Sequence, residues 1–444
     1  MRATVSGEDE SRPILITSKK GKPSMKKHSL LMALTTALCC AAVAQVGPVP
    51  KGVPRLDHVF VIMMENHGYS QILNNPNAPF INWYAQSANL ATNYFAIAHP
   101  SLTNYLEVVG GSNFGVLSDN DPDWHNSSCS TNLATGIANT DNPPSPSICP
   151  IAGTGTDAAT VAVDKINETQ GDPGLFNIDG VQSIPAASGI VGETIADQLV
   201  GANRTWKSYQ ENLPVVGPDF VTYSDGVFTN LTDFTKINPQ LNPPLTQADV
   251  VKLYAAKHNP FVYFANVQAN TDPKNGYGNM VDFNTLYGDL RSGKVPSYSF
   301  IAPNQCNDQH GRGNAGAFCN YDPSSDGTQS GLNPALILLG DNTVGRLVGA
   351  IHSSPAWNKG HNAIVLLWDE NDYSYAPNTN QVIAVVDTNY GFHQLQSGQR
   401  YNHFSLLKSL ESGLELPCLN HACDSNVPVM SDLFGIARHE AEKK

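Results

Sequence analysis

Short, strongly apolar runs alternate along this chain with longer stretches of helical periodicity, the pattern of a protein that layers helices on a sheet. Strands are expected at 57–64 (DHVFVIMM), 261–267 (FVYFANV), 297–301 (SYSFI), 363–368 (AIVLLW) and 381–386 (QVIAVV). Helices are expected at 78–90, behind an Asn-Pro-rich turn, and at 191–202, 246–257, 336–353 and 404–412. Runs that are apolar on both faces suit the central strands of a parallel sheet covered on each side, so a doubly wound α/β fold is predicted.

Two segments break this rhythm. Residues 112–190 are rich in Gly, Ser, Thr, Asn, Asp and Pro and lack periodicity, and 306–333 form a second polar, Gly-rich stretch. Both read as insertions over the edge of one fold, because no linker separates two cores. Residues 45–444 are therefore expected to form a single domain, without internal repeats.

The N-terminus has a different character. Met25-Lys26-Lys27 opens a basic segment, and residues 30–44 (LLMALTTALCCAAVA) are apolar and end in Ala-Val-Ala. That order predicts a secretory signal cleaved after Ala44, with 1–24 as an upstream extension. The apolar run is too short for a stable membrane anchor, so a secreted or periplasmic product is expected. Of the 8 cysteines, Cys39 and Cys40 leave with the signal. The others form three sequence-local pairs, Cys129 with Cys149, Cys306 with Cys319 and Cys418 with Cys423, read as disulfides rather than zinc ligands.

Composition narrows the function. The 444 residues carry 26 Lys+Arg against 39 Asp+Glu, a net charge of −13. Removing 1–44 leaves 19 basic against 36 acidic residues, or −17. A hydrophobic fraction of 41% with only 15% charged residues excludes a disordered chain. The acidic balance argues against nucleic acid or an anionic membrane as partner.

Four places share one arrangement: polar and ionisable residues follow directly on an apolar run, where open α/β sheets bind ligands. Glu65-Asn66-His67 follows the first strand and offers oxygen ligands, or simply starts a loop. Ser101 stands behind His99-Pro100 at the start of an expected helix, where N–H groups and the helix dipole favour an anion; a plain N-cap is the alternative. Asp369-Glu370-Asn371-Asp372 follows AIVLLW, and adjacent carboxylates at a strand end favour a cation between them. Asn304, Asp308 and His310 follow SYSFI, and His403 precedes FSLLKSL; these groups suit phosphate contact, leaving-group protonation or a second metal. His67, His125, His352 and His421 are read as structural.

Taken in order, HVFVIMMENHGYS, HPSLTNYLEVVGG, IAPNQCNDQH, LLWDEND and YNHFSLLKSLE resemble the phosphoesterase family of acid phosphatases and bacterial phospholipases C, within the alkaline-phosphatase-like superfamily. The resemblance spans about 57–412. It implies a three-layer α/β/α sandwich with a mostly parallel central sheet, and a metal held by Glu65, Asn66, Asp369 and Glu370 with Ser101 as the metal-contacting nucleophile. Asn104 and Gly111 fall where relatives carry Asn and Gly, which supports Ser101 over Thr103. Asp308, His310 and His403 match positions that hold a second metal in two-zinc members. Here Asp369-Glu370 stands where those relatives have Asp-His, so the first site is all-oxygen and favours Ca²⁺, Mg²⁺ or Mn²⁺. The implied reaction is metal-assisted hydrolysis of a phosphomonoester, or a phosphoinositide or phospholipid head group, through a phosphoserine, with His310 or His403 as proton donor and His99 orienting the phosphate or serving the fold. A phospholipase C-type diesterase is the alternative; a non-catalytic phosphate-ester-binding protein is a remote one.

Overall fold

The computed structural model describes residues 46–114, 116, 190, 192–213, 253–311, 334–372 and 379–435, with short strands at 131–132 and 137–138. Its elements run β1 (His58–Met64), α1 (Tyr69–Ile72), α2 (Pro79–Ser87), β2 (Asn89–Ala91), β3 (Tyr94–Phe95) and α3 (Ser101–Gly110). Next come β4 (Thr131–Asn132), β5 (Ile137–Ala138), α4 (Ile195–Gly201), β6 (Trp206–Gln210), α5 (Ala265–Ala269), β7 (Met280–Asp282), α6 (Phe283–Ser292) and β8 (Tyr298–Ala302). The chain continues through α7 (Pro334–His352), β9 (Asn362–Trp368), β10 (Ala384–Thr388), β11 (Gln396–Ser397), β12 (Tyr401–Asn402) and α8 (His403–Leu414).

Eight strands form one sheet in the order β11-β2-β10-β9-β1-β8-β6-β7. The run β9-β1-β8-β6-β7 is parallel throughout, and β10 alone runs against its neighbours. Every residue of β9, and all of β1 but its first, is buried, as strands covered on both faces must be. Helices α2, α6 and α7 pack together, and α3, α4 and α8 form a second group. The fold is thus a three-layer α/β/α sandwich with a mostly parallel sheet.

Four expected strands are present within a few residues. The fifth is not: FVYFANV folds as a 3₁₀ turn (Pro260–Tyr263) followed by α5. The run is apolar because it is buried, with Phe261 against Trp206 and Phe300 at ring-centroid distances of 4.5 and 5.8 Å. Pro260, which has no N–H to donate, starts a turn more readily than a central strand. The strand in this part of the sheet is instead β6 (WKSYQ), whose polar positions disguise it. Helix 78–90 is cut short at Ser87, since Asn89–Ala91 pairs with β10. The end of the expected helix 246–257 is a 3₁₀ turn, Ala256–His258; residues 246–252 lie outside the described residues.

The signal segment, most of 112–190, and 312–333 also lie outside them. Cys418 and Cys423 are joined. Cys306 is in a disulfide as well; Cys129, Cys149 and Cys319 fall outside the described residues. Among those residues no helix is long and apolar enough to cross a membrane.

Candidate active site

Sheet register assembles the site. Met64 pairs with Trp368, so the residues that follow these strand ends emerge side by side. Asn66 N–H donates to Asp369 Oδ1 (3.0 Å), Asp369 N–H to the Met64 carbonyl (3.1 Å) and Glu65 N–H to the Asp308 carbonyl (2.9 Å). Three polar loops far apart in the chain are thereby locked at one sheet edge. Asn66 turns the chain there with φ +54°, a left-handed conformation that asparagine tolerates better than most residues.

Ser101 is the first residue of α3, with Pro100 extended before it. Helix α3 is buried along its whole length. It ends at Gly111, whose φ of +70° and close approach to the Leu419 carbonyl leave no room for a side chain. The Ser101 hydroxyl donates to Glu370 Oε1 (3.2 Å) and accepts from Lys257 Nζ (3.4 Å). Thr103 is committed elsewhere, donating to the Val116 carbonyl at 3.0 Å.

Glu370 is held from three directions. Besides Ser101, Asn104 Nδ2 donates to its Oε2 (3.0 Å) and His99 Nδ1 lies 3.0 Å from the same oxygen. Asn104 also accepts from the Ile97 and Ala98 amides, and His99 Nε2 meets Asn371 Oδ1 at 3.1 Å. His99 thus serves the carboxylate.

A second buried charge group adds His258, which was not among the expected site residues, to Glu65 and Asp308. His258 is sandwiched between Glu65 Oε1 (2.7 Å from Nε2) and Asp308 Oδ2 (3.2 Å from Nδ1), and Tyr105 of α3 stacks on its ring at 5.2 Å. Burial alone would lower its pKa, but the two carboxylates push it up to about 10, so it is a cation at neutral pH. Burial would raise Glu65, but the charges of His258, Lys257 and His310 hold it well below the usual carboxylate range. Asp369 moves the other way, raised by burial and by the neighbouring Glu65 and Glu370 charges. Lys257 and His258 precede an apolar run rather than follow one; the sequence signal for them is an ionisable pair on the N-terminal side of FVYF.

His310 and His403 occupy different settings. His310 is half-buried, with Nε2 3.4 Å from Lys257 Nζ and Nδ1 2.8 Å from the Gly311 carbonyl; its amide donates to Asp308 Oδ1. His403 is completely buried, Nε2 2.7 Å from the Asp369 carbonyl and Nδ1 3.1 Å from the Tyr94 hydroxyl. Burial lowers its pKa to about 4, and both ring nitrogens are engaged, one of them on Asp369. Asp308 Oδ2 faces His258, while His403 meets the Asp369 carbonyl and His310 the Gly311 carbonyl. Among the described residues no three His, Cys, Asp or Glu side chains are gathered closely enough to hold a metal as they stand, at this second position or at Glu65, Asp369 and Glu370. Asn304 caps its own loop, accepting from the Cys306 and Asn307 amides.

The first expected ligand set has the chemistry for a hard cation. Glu65 Oε2 and Asp369 Oδ2 are buried without a hydrogen-bond partner among the described residues. Leaving carboxylate oxygens so is costly unless a cation or proton meets them. Glu65, Asn66, Asp369, Glu370 and the Ser101 hydroxyl together offer only oxygen donors, as Ca²⁺, Mg²⁺ and Mn²⁺ prefer.

The strand tips thus set carboxylates on one side of a helix-initiating serine and Lys257 and His258 on the other. The chain belongs to the phosphoesterase family, which matches residues 71–321. It is 24% identical over 409 residues to the phosphatidylinositol-3-phosphatase of Mycobacterium tuberculosis, covering 91% of this chain and 92% of that protein. To the acid phosphatase of Aspergillus fumigatus it is 26% identical over 287 residues, 64% of this chain but only 43% of the fungal protein. The crystal structure of an alkaline phosphatase superfamily protein from Vibrio parahaemolyticus superposes with a TM-score of 0.42 at 12% identity, over 84% of this chain and 70% of that one.

Proposed function

We propose that the chain is a secreted, metal-dependent acid phosphatase that hydrolyses phosphomonoesters through a phosphoserine on Ser101. The observation that carries this reading is the Ser101 hydroxyl at the head of α3, set between Glu370 and Lys257. A divalent cation held by Glu65, Asn66, Asp369, Glu370 and Ser101 would supply Lewis acidity at the phosphate.

The chain's own groups account for the proton traffic. Ser101 gives its proton to the carboxylate it already addresses, Glu370, as Oγ bonds to phosphorus and the ester P–O bond breaks. The departing alkoxide takes a proton from His310. Water then attacks the phosphoserine, losing a proton to His310 while Glu370 returns one to Ser101, and inorganic phosphate leaves. The His310 contact to the Gly311 carbonyl assigns the Nδ1 proton there and leaves Nε2 to carry the mobile one.

Export is supported by the Lys-rich, apolar, Ala-Val-Ala N-terminus and by the Cys418–Cys423 disulfide, which belongs in an oxidising compartment. The test is phosphate release from p-nitrophenyl phosphate across pH, before and after chelation. Wild type should turn over and lose activity to EDTA, and Ser101→Ala should fall by at least about 10⁴-fold with its fold intact. Near-normal activity of that variant overturns Ser101 as the nucleophile.

A further inference from the structure

We propose that Lys257 is a catalytic residue that recognises the extra negative charge of a phosphomonoester dianion and so biases the site toward monoesters over diesters. The inference rests on the reading of Ser101 as nucleophile and adds what that reading leaves open, the ester class.

Position comes first. Lys257 lies in the Ala256–His258 turn, with Nζ 3.4 Å from Ser101 Oγ and 3.4 Å from His310 Nε2. The turn is pinned to the sheet: Gln210, at the end of β6, donates to the His258 carbonyl (3.1 Å), and Ser208 donates to Asn259 Oδ1 (3.0 Å). Lys257 itself is only 5% exposed. A buried ammonium on an anchored turn is pre-organised, and pre-organised charge stabilises a transition state without rearrangement.

Contact with Ser101 then distinguishes Lys257 from His258. Both nitrogens of His258 face carboxylates, Glu65 and Asp308, so its charge answers theirs. The Lys257 charge also acts on Glu65, and its Nζ in addition stands beside the reacting hydroxyl. A phosphorus atom in line for attack stands about 3–3.5 Å from Oγ, which brings its non-bridging oxygens within hydrogen-bond reach of Nζ. Lysine binds phosphate as a point charge with three donors, and these oxygens carry the charge in phosphoryl transfer. A monoester dianion has three such oxygens and two charges. A diester has two oxygens and one charge, and its second substituent would take the place where the ammonium binds oxygen.

The test compares wild type, Lys257→Met and Lys257→Arg on p-nitrophenyl phosphate and bis(p-nitrophenyl) phosphate, with thermal stabilisation by inorganic phosphate as a second readout. Lys257→Met should lose about 10²–10³-fold in kcat/KM on the monoester and less than about tenfold on the diester. Lys257→Arg should recover part of the monoester loss. Phosphate should raise the melting temperature of wild type and do so far less for Lys257→Met. Equal losses on both esters, or undiminished stabilisation by phosphate, overturn the assignment. Wild type inactive on both esters would sink the phosphatase reading instead, and the phosphate shift would still decide whether Lys257 binds the anion.

Discussion

Replacing His258 by glutamine tests the buried charge group at the heart of the site. The imidazolium lies 2.7 Å from Glu65 Oε1 and 3.2 Å from Asp308 Oδ2, all three side chains nearly inaccessible to water. Removing the cation leaves two buried carboxylates facing each other, a change that typically costs about 3–5 kcal/mol. For a folded region of roughly 400 residues, the unfolding entropy converts that cost into a melting-temperature loss of about 4–6 °C. The assay is thermal unfolding at neutral pH in EDTA, for His258→Gln, Glu65→Gln and the double variant. Because the residues touch, the double variant should melt above the temperature expected from adding the two losses. The pH dependence has a defined sign. His258 is raised from its unfolded value near 6.5 to about 10, so its contribution is complete below about 6.5 and disappears as pH climbs through about 10. The wild-type advantage should therefore be largest at mildly acidic pH and shrink toward pH 10. A His258→Gln variant that melts within about 1 °C of wild type, or strictly additive losses, would refute the ion-triad reasoning.

Two further predictions concern the frame around the site. Glu411 of α8 is buried, its pKa raised well above the ordinary value by burial, with one oxygen accepting from the Leu419 amide (2.8 Å) and Oε2 unpartnered among the described residues. A raised carboxyl binds its proton more tightly when folded, so stability should fall as pH rises above the unfolded pKa, by at most about 1.4 kcal/mol per pH unit. Glu411→Gln should flatten that decline in pH-dependent melting curves; an unchanged slope counts against it. Arg204 donates to the carbonyls of Leu414 (2.8 Å), Leu56 (2.6 Å) and Asp57 (3.3 Å), tying the approach to β1 to the end of α8. Arg204→Ala should cost about 2–4 kcal/mol in urea unfolding, with lysine recovering only part of it because it lacks the planar fork.

Much of the sheet could be read directly from the chain. HVFVIMM and NAIVLLW are apolar on both faces, and a strand buried on both faces has few other places to go. The residues just beyond them, Glu65, Asn66, Asp369 and Glu370, were legible as candidates because ionisable groups on the heels of buried strands need a reason to be there. Ser101 was legible from Pro100 and the helix it opens. In contrast, FVYFANV shows that apolarity reports burial and not conformation, and β6 shows that an inner strand can carry buried Ser and Gln beside a half-buried Lys.

What the sequence determined by itself was a set of local choices: which segments are buried, where helices start, and which strand tips carry charge. Only the tertiary structure decided which of those charges meet. The β1–β9 register set Glu65 beside Asp369; the Ala256–His258 turn, 156 residues from Ser101 in the chain, placed Lys257 against its hydroxyl and His258 between two carboxylates. Depth inside the fold, in turn, lowers the pKa of His403, whose ring nitrogens meet the Asp369 carbonyl and the Tyr94 hydroxyl. Electrostatic partnership falls off with distance in space and with solvent screening, and neither quantity is written in the order of the residues.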